Sequence, residues 1–375
     1  MALEKVYIIG GGPIGLLTGI LLLKHGYEVD IYEEHDAIGF PQHCTGIVSR
    51  NTFKQYPINL YDIVINEYYG VNLKIGDVDI GSFRTTLPKA FVIDRVEFER
   101  RLAHNFINLG GRLNLSSRIK IRKNSMLDRN TLIIDAGGTK SLLRSGYREL
   151  LPAIQVDIQV RTETLDRKIT RIVVDKEINP DYFMWMAPYS DTSCRIGTAS
   201  KRDPGGKVKK LIEREGIIGI RENVLTGLVV AGGPVKNFLE DGYVRVGDAA
   251  GMVKATTGGG LYYGAVGAHL LVEAIKEDSL EKFQKDWYAR FGREIWLQKL
   301  VRKYFLNSST EELLQLISIL SKKEVFNILV AIGDMDLHTT SLVKIILDKD
   351  LLKTMLHKKF PNFILREVLR EFGLD

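Results

Sequence analysis

A glycine pattern near the N-terminus constrains the fold of this chain more than any other feature of its sequence. Gly10, Gly12 and Gly15 directly follow an apolar run at Lys5–Ile9 that is typical of a buried β-strand. An apolar stretch comes next and ends at Gly26, in the position of a helix C-cap. A second run with the alternation of a strand follows. The sequence therefore predicts a β-α-β unit of the Rossmann type.

The spacing of these glycines also predicts a ligand. Gly10 permits the tight turn, Gly12 lets the backbone approach a pyrophosphate, and Gly15 lets the helix pack close to the strand. The N–H groups at the helix start favour phosphate. Glu33 ends the second strand, where a carboxylate can accept both hydroxyls of a ribose. The alternative is a purely structural glycine loop. The context favours a dinucleotide, and the acidic residue favours FAD or NAD over NADP.

A second glycine-rich region lies more than two hundred residues later. Gly247-Asp248-Ala249-Ala250-Gly251 places a carboxylate just past a predicted strand, where it could hold the ribityl chain of a flavin. Thr256-Thr257-Gly258-Gly259-Gly260-Leu261 exposes N–H groups at a helix start, which would stabilise negative charge on a reduced flavin. The alternative for this region alone is an Asp N-cap with a glycine-rich packing contact. Together with the first motif, it favours FAD over NAD.

Composition excludes several other classes. The chain has 375 residues, 45% of them apolar and 26% charged, which is typical of a globular protein with a real core. The net charge of +6 comes without blocks of Lys or Arg interleaved with aromatic residues, so no nucleic-acid partner is expected. Two cysteines and the lack of a signal peptide favour a cytoplasmic protein, with peripheral contact at the inner membrane face as a further possibility. No metal site is predicted.

The predicted fold class is α/β with α+β elements, in three domains. A discontinuous Rossmann-type FAD-binding domain covers 1–150 and 240–280. An antiparallel substrate-binding sheet covers 151–239, and a helical C-terminal domain covers 281–375. Alternation over 61–91, with turn signals at Gly76-Asp77 and Gly81, predicts an antiparallel excursion. Asp94 is the predicted N-cap of a helix that ends near Leu109.

Four stretches of the sequence resemble one known family. They are Gly39-Phe40-Pro41-Gln42-His43-Cys44-Thr45-Gly46, Asp94-Arg95-x-x-Phe98-x-x-x-Leu102, Phe183-Met184-Trp185-Met186-Ala187-Pro188, and GDAAGMVKATTGGGLYYG from Gly247. With the N-terminal glycines they resemble the p-hydroxybenzoate-hydroxylase-like FAD-dependent oxidoreductases. Within that superfamily they are similar to the geranylgeranyl reductase family, which includes the archaeal digeranylgeranylglycerophospholipid reductases. The resemblance covers about residues 5 to 300.

The chain departs from the family pattern at three places. The usual Ala-Asp-Gly of the superfamily is Ala136-Gly137-Gly138 here, so an acid linked to pyrophosphate and NADPH handling is absent. The Phe-Pro of the aromatic signature is Ala187-Pro188. The cysteine loop is one residue shorter between Cys44 and its glycine.

The resemblance implies a set of cofactor-binding residues distributed over the whole first domain. They are Gly10, Gly12, Ile14 and Gly15 for the pyrophosphate, Glu33 for the ribose, Cys44, Thr45 and Gly46 beside the flavin, Arg95 from its helix, Ile119 at the adenine end, and Asp248, Gly260 and Leu261 around the ribityl chain and ring.

The resemblance also indicates candidate residues for the reaction. Cys44, in a loop with prolines and glycines, is the candidate catalytic residue, and a small buried packing residue is the alternative. Trp185, Tyr262 and Tyr263 are expected to line the substrate site, although core packing predicts Trp185 equally well. Cys194 lies in a strand pattern and is expected in the core.

The expected activity is reduction of C=C bonds in prenyl chains by reduced FAD, with a ferredoxin or NAD(P)H as electron donor. A prenylated lipid would lie in an apolar channel between the second sheet and the C-terminal helices. An FAD monooxygenase or halogenase of the same superfamily is the alternative enzyme. A flavin-binding sensor is the alternative that is not an enzyme.

Overall fold

The computed structural model describes residues 3, 5–120, 130–160, 166–240, 242–320, 323–347, 366–367 and 370–371. Its strands are β1 (Lys5–Ile9), β2 (Glu28–Tyr32), β3 (Ile47–Val48), β4 (Val64–Tyr68), β5 (Gly70–Ile75), β6 (Val78–Arg84), β7 (Ala90–Ile93), β8 (Arg112–Asn114), β9 (Thr131–Asp135), β10 (Leu150–Val160), β11 (Ile169–Val174), β12 (Met184–Pro188), β13 (Ser193–Ala199), β14 (Gly219–Val230), β15 (Leu239–Glu240) and β16 (Tyr243–Arg245). Its helices are α1 (Pro13–Lys24), α2 (Arg50–Phe53), α3 (Arg95–Asn108), α4 (Gly138–Arg144), α5 (Pro204–Arg214), α6 (Leu261–Lys276), α7 (Leu280–Asn307), α8 (Thr310–Leu320), α9 (Lys323–Ile332) and α10 (Thr339–Leu347).

The chain divides into two compact units, each built from three segments. The first unit comprises Met1–Ile65, Phe91–Leu151 and Gly227–Gly292, and the second comprises Asn66–Ala90, Pro152–Thr226 and Arg293–Asp375. These boundaries differ from the predicted ones, because the segment from Asn66 to Ala90 joins the sheet of the second unit. The helical C-terminus also belongs to that unit instead of forming a domain of its own.

The first unit contains a six-stranded sheet in the order β15-β16-β9-β1-β2-β8. The central strand β1 pairs in parallel with β2 and β9, so Val6 lies beside both Val29 and Leu132. A strand flanked on both sides in a covered sheet is expected to be mostly apolar, as β1 is after Lys5. Helix α1 has no polar face: eight of its twelve residues are buried, and its exposed residue, Lys24, lies at its end. The predicted Rossmann-type fold is confirmed.

Asp94 caps the N-terminus of α3 as the sequence predicts. Its Oδ1 accepts hydrogen bonds from the backbone N–H groups of Val96 and Glu97, each at 3.0 Å. Helix α3 then buries Phe98, Leu102 and Phe106 along one face. This cap fixes where the helix starts, and therefore where Arg95 lies in its first turn.

The second unit contains a seven-stranded sheet in the order β14-β10-β13-β12-β11-β5-β6. The hairpin of β5 and β6 turns at Gly76-Asp77, as predicted, and β5 pairs in parallel with β11. The prediction of a turn at Gly81 is wrong. Gly81 lies inside β6 beside a shift in register, where its φ of +104° accommodates a bulge.

Helices cover the sheet of the second unit through two apolar clusters. Val208 and Leu211 of α5 pack against Val156, Met184 and Ile196, in a cluster that also contains the buried Cys194. A second cluster joins β5 to the C-terminal helices; its buried members are Ile75, Leu297, Tyr304, Leu313, Val325 and Ile345. Packed side chains therefore occupy part of the boundary between this sheet and the C-terminal helices, and the substrate channel predicted there stays a prediction.

No helix among the described residues is both long and apolar enough to cross a bilayer. The longest, α7, carries charged side chains along its whole length.

Candidate functional site

The three glycines of the N-terminal motif have different reasons for being glycine. A Cβ on Gly10, whose φ is +111°, would lie 2.4 Å from the carbonyl oxygen of Ala136, and a Cβ on Gly15 would lie 2.0 Å from that of Gly10. Those two glycines allow the turn and the close packing of α1. A Cβ on Gly12 would meet nothing within 4 Å among the described residues. The open side of Gly12 therefore faces space that a phosphate can occupy.

Glu33 is tied to the glycine loop from the end of β2. Its Oε2 accepts a hydrogen bond from the N–H of Gly11 at 2.7 Å, and its Oε1 accepts one from the N–H of His35 at 2.9 Å. The ring Nδ1 of His35 also lies 2.6 Å from Oε1. These contacts hold the carboxylate at the mouth of the loop, the place that the sequence predicts for a ribose ligand.

A cleft in the first unit brings together many of the predicted cofactor residues. Its lining includes Gly10, Gly12, Glu33, Cys44, Arg95 and Ile119. Pro13 at the start of α1 also lines it, and no side chain caps that helix. A helix N-terminus with free N–H groups on an open cleft is a favourable place for phosphate.

Arg95 reaches the cleft from the first turn of α3. One of its terminal nitrogens, Nη2, donates to Oε1 of Glu99, and its guanidinium lies 5.8 Å from the ring centre of Phe98. Its Nε is buried and has no hydrogen-bond partner among the described residues. Buried polar groups without partners are rare in folded proteins, so this nitrogen is a candidate donor to a ligand.

Asp248, Gly260 and Leu261 form a group beside Arg95, although they are not among the described residues that line the cleft. A Cβ on Gly260 would lie 2.4 Å from Oδ1 of Asp248, so only glycine allows this approach. Burial raises the pKa of Asp248 to about 6, and the positive charge of Arg95 opposes that rise. Among the described residues, no hydrogen-bond donor offsets the burial of this carboxylate.

The side chain of Ile14 lies inside the first unit. It packs against Gly247 and Gly264, where a Cβ would lie about 3 Å from its carbons. Only its backbone could therefore take part in phosphate binding. Gly46 is buried with a φ of +85°, and a Cβ there would lie 2.6 Å from the carbonyl oxygen of Ile93. Thr45 precedes it and is half-buried.

The Cys44 loop is held in a defined conformation on the cleft wall. The Sγ atom of Cys44 accepts a hydrogen bond from the N–H of Gly46 at 3.3 Å, and Cys44 is half-buried. His43, next to it, is exposed. Cys44 also interacts electrostatically with Arg95. The catalytic role of Cys44 stays a prediction, and its position on the cleft is consistent with it.

The predicted substrate-lining residues lie in packed surroundings. Tyr262 and Tyr263 are buried in an aromatic cluster of α6 and α7, with Tyr263 4.5 Å from Phe291 between ring centres. In the second unit, the indole of Trp185 lies on Gly197, where a Cβ would come within 2.4 Å of it. This packing favours structural roles for the two tyrosines. A lining role for all three stays a prediction.

Two residues of this site, Tyr56 and Glu99, are not among those predicted from the sequence. Tyr56 is buried and donates its hydroxyl hydrogen to the carbonyl oxygen of Leu261 at 3.0 Å, which holds the start of α6. Glu99 lines the cleft as the ion-pair partner of Arg95. No motif indicates Tyr56. The spacing of Glu99, four residues after Arg95 on a predicted helix, could have identified the pair.

These features together fit FAD. The uncapped start of α1 and the space beside Gly12 suit a pyrophosphate, and Glu33 suits a ribose. The unpartnered Nε of Arg95 and the weakly supported carboxylate of Asp248 offer a donor and an acceptor to the rest of the cofactor.

Comparisons with known proteins agree with this site. A family model described as an NAD(P)-binding Rossmann-like domain matches residues 8–58. An uncharacterized protein of Methanocaldococcus jannaschii is 29% identical, with 92% of this chain and 95% of that protein covered. A digeranylgeranylglycerophospholipid reductase of Methanococcoides burtonii is 24% identical, with 82% and 85% covered.

A solved structure extends the likeness in fold to almost the whole chain. The crystal structure of a geranylgeranyl bacteriochlorophyll reductase-like protein from Thermoplasma acidophilum superposes with a TM-score of 0.77 at 20% identity. It covers 95% of this chain and 99% of that one. The cofactor of this protein is FAD, and the protein is an FAD-dependent oxidoreductase. The chain is thus similar in sequence to digeranylgeranylglycerophospholipid reductases, and it shares its fold with a geranylgeranyl reductase-like protein.

Proposed function

We propose that this protein saturates C=C bonds in the prenyl chains of lipids, such as the geranylgeranyl groups of an archaeal-type membrane lipid. One observation carries the proposal. The cleft that fits FAD has the Cys44 loop and Arg95 on its wall, in a chain that aligns over 82% of its length with a digeranylgeranylglycerophospholipid reductase. The electron donor, a ferredoxin or NAD(P)H, and peripheral contact with the inner membrane face are parts of the same proposal.

The reaction adds a hydride to one alkene carbon and a proton to the other. Bound FAD, once reduced by the donor, supplies the hydride. The chain must then bind the cofactor firmly, orient the alkene and deliver a proton. Gly12 and Glu33 serve the first task, and Arg95 adds charge to it.

Proton delivery is the task proposed for the Cys44 loop. An isolated alkene is a poor hydride acceptor, so the acid must be placed accurately and bulk water kept away. The hydrogen bond from the N–H of Gly46 fixes the Cys44 thiol in one place. Cys44, or a water molecule held beside it, would then organise the proton.

The proposal is tested by a single turnover without oxygen. The holoprotein is reduced with dithionite, freed of excess reductant and mixed with a geranylgeranyl phospholipid, while flavin absorbance is followed. The proposal predicts flavin reoxidation and a lipid that gains two hydrogen atoms for each bond reduced. A flavin that stays reduced with every prenyl lipid, but reoxidises with oxygen and hydroxylates or halogenates an added substrate, would support the monooxygenase or halogenase instead.

The Cys44→Ser variant tests the role of the loop. It should keep the fold and the FAD but slow lipid-dependent reoxidation by about 10-fold or more, since a small misplacement of donor or alkene adds ~1.4 kcal/mol of barrier. Reduction by dithionite should be unchanged because it needs no alkene. Cys194→Ala is the matched control: Cys194 is buried in the second unit, so that variant should lose stability and keep its rate per bound flavin. A wild-type rate for Cys44→Ser would leave Cys44 without a chemical role.

A further inference from the structure

Helix α3 carries two Arg–Glu pairs with the same spacing in different surroundings. Arg95 and Glu99 are paired with side chains only 12% and 14% exposed, and both line the FAD cleft. Arg101 and Glu97 are paired at 2.7 Å with side chains 37% and 42% exposed, and neither is among the described residues of the cleft. Surface pairs of this kind contribute little to stability. A gain in stability therefore does not explain why a second pair, Arg95 and Glu99, is shielded from water beside the cleft.

The buried pair satisfies only part of the Arg95 guanidinium. Glu99 takes Nη2, while Nε stays buried without a partner among the described residues. Without Glu99 as a fixed acceptor, the long Arg95 side chain could adopt other rotamers, and its guanidinium would lose this orientation. Glu99 also compensates a positive charge whose burial would otherwise be costly.

The charge of Arg95 reaches other ionisable groups in the first unit. Arg95 interacts electrostatically with Cys44, Tyr56 and Glu99, and it is the cation that acts on Asp248. Tyr56 interacts in turn with Arg95, Glu99 and Asp248. Glu99 is thus one of several ionisable groups on which the positive charge of Arg95 acts.

We infer that Glu99 is a positioning residue for the cofactor: it fixes the guanidinium of Arg95 so that the remaining donors meet FAD, and it limits how strongly Arg95 stabilises the Asp248 carboxylate. The inference concerns cofactor binding alone and does not depend on the lipid substrate.

Two effects follow when Glu99 becomes neutral. Arg95 loses its fixed acceptor, so affinity for FAD falls. Without the Glu99 charge, less of the Arg95 positive charge is neutralised, so the Asp248 carboxylate on which Arg95 acts ionises at lower pH. The pH at which FAD affinity is half-maximal then moves down. A merely structural role for Glu99 would not move that midpoint.

The test compares Glu99→Gln with Glu97→Gln, which removes the same charge from the same helix in the exposed pair. Apoprotein of each is titrated with FAD by flavin fluorescence from about pH 5 to about pH 8, a range that spans the raised pKa of about 6 of Asp248. Glu99→Gln should weaken binding by about 10-fold or more, the loss expected for a charged hydrogen bond, and shift the midpoint to lower pH. Glu97→Gln should change neither by more than about 2-fold.

Glu99→Asp keeps the inference falsifiable if Glu99→Gln does not fold. It retains the charge at a shorter reach, so we expect a wild-type midpoint with intermediate affinity. A Glu99→Gln variant with wild-type affinity and midpoint would overturn the inference. Equal losses in Glu99→Gln and Glu97→Gln, or a shifted midpoint in Glu99→Asp, would overturn it as well.

Discussion

Two carboxylates, the buried Glu294 of the second unit and the half-buried Asp248 of the first, differ in how the protein supports their charge. In the second unit, Glu294 accepts hydrogen bonds from the N–H groups of His338 and Thr339 and lies 2.9 Å from Nδ1 of His338. Burial alone would raise the pKa of Glu294, but these hydrogen bonds lower it to about 2. In the first unit, burial raises the pKa of Asp248 to about 6, and among the described residues Arg95 alone opposes that rise.

The difference separates a structural charge from one that awaits a ligand. Glu294 joins α7 to the start of α10 with its lone pairs satisfied by the protein. Asp248 lies next to Gly260 and Arg95 in the unit that binds FAD, with its acceptor capacity largely unused. Strongly perturbed groups that lack protein partners are concentrated at functional sites. Changes at Glu294 are therefore expected to alter the stability of the protein, and changes at Asp248 are expected to alter FAD binding.

The largest effect is expected for Glu294→Ala. The substitution leaves N–H groups at the start of α10 and the His338 ring without their acceptor, which should lower the free energy of unfolding by about 3–5 kcal/mol. FAD affinity should not change. Urea unfolding measures the first quantity and fluorescence titration the second. Glu281→Ala, at the exposed start of the same helix, is the control and should stay within about 0.5 kcal/mol of wild type. A loss below about 1 kcal/mol for Glu294→Ala would mean that the hydrogen bonds contribute little.

An intermediate effect is expected for Glu33→Ala in the first unit. FAD affinity should fall by roughly 1–3 kcal/mol, because the ribose hydroxyls and the N–H of Gly11 lose their acceptor. Glu28→Ala, at the exposed start of β2, is the control, since Glu28 pairs with Lys5 and Arg112 at the surface and its loss should cost less than about 1 kcal/mol. Equal affinities for the two variants would show that Glu33 does not hold the ribose.

Much of the first unit could be predicted because its constraints are local. The β1–α1–β2 start, the Asp94 cap and the strand before Asp248 lie within about two residues of their predicted positions. Each rests on a glycine, a cap or an apolar run that acts on its own neighbours in sequence.

The second unit was less predictable because its decisive contacts are distant in sequence. Alternation identifies the hairpin after Gly70, but not its parallel pairing with β11 about a hundred residues later. The apolar faces of the C-terminal helices were read as a separate domain, although they cover Ile75 and its neighbours in this sheet. Tyr56 was missed for the same reason, since its hydrogen bond spans 205 residues.

The smallest effect is expected for Asp248→Asn. The amide keeps the shape and can still accept a hydrogen bond, so FAD affinity at neutral pH should fall only about 10-fold, the difference between charged and neutral hydrogen bonds. The stability of the apoprotein should not fall at pH 8. The pKa of about 6 in the fold lies above the ordinary 3.8, so the ionised form destabilises the fold, and stability is lost as pH rises through this range. A less stable apoprotein at pH 8 would show that Asp248 is a structural charge like Glu294.

Proton exchange on FAD binding tests most directly whether the cofactor supplies hydrogen-bond donors to the Asp248 carboxylate. Near pH 6 this carboxyl is about half protonated in the apoprotein. Hydroxyl groups of the cofactor that donate to it would lower its pKa and expel that proton. Calorimetric titration of apoprotein with FAD, in two buffers of different ionisation enthalpy, measures the protons exchanged. The account predicts release of about half a proton at pH 6, with little release at pH 8 or in Asp248→Asn. No release at pH 6, or the same release in Asp248→Asn, would contradict it.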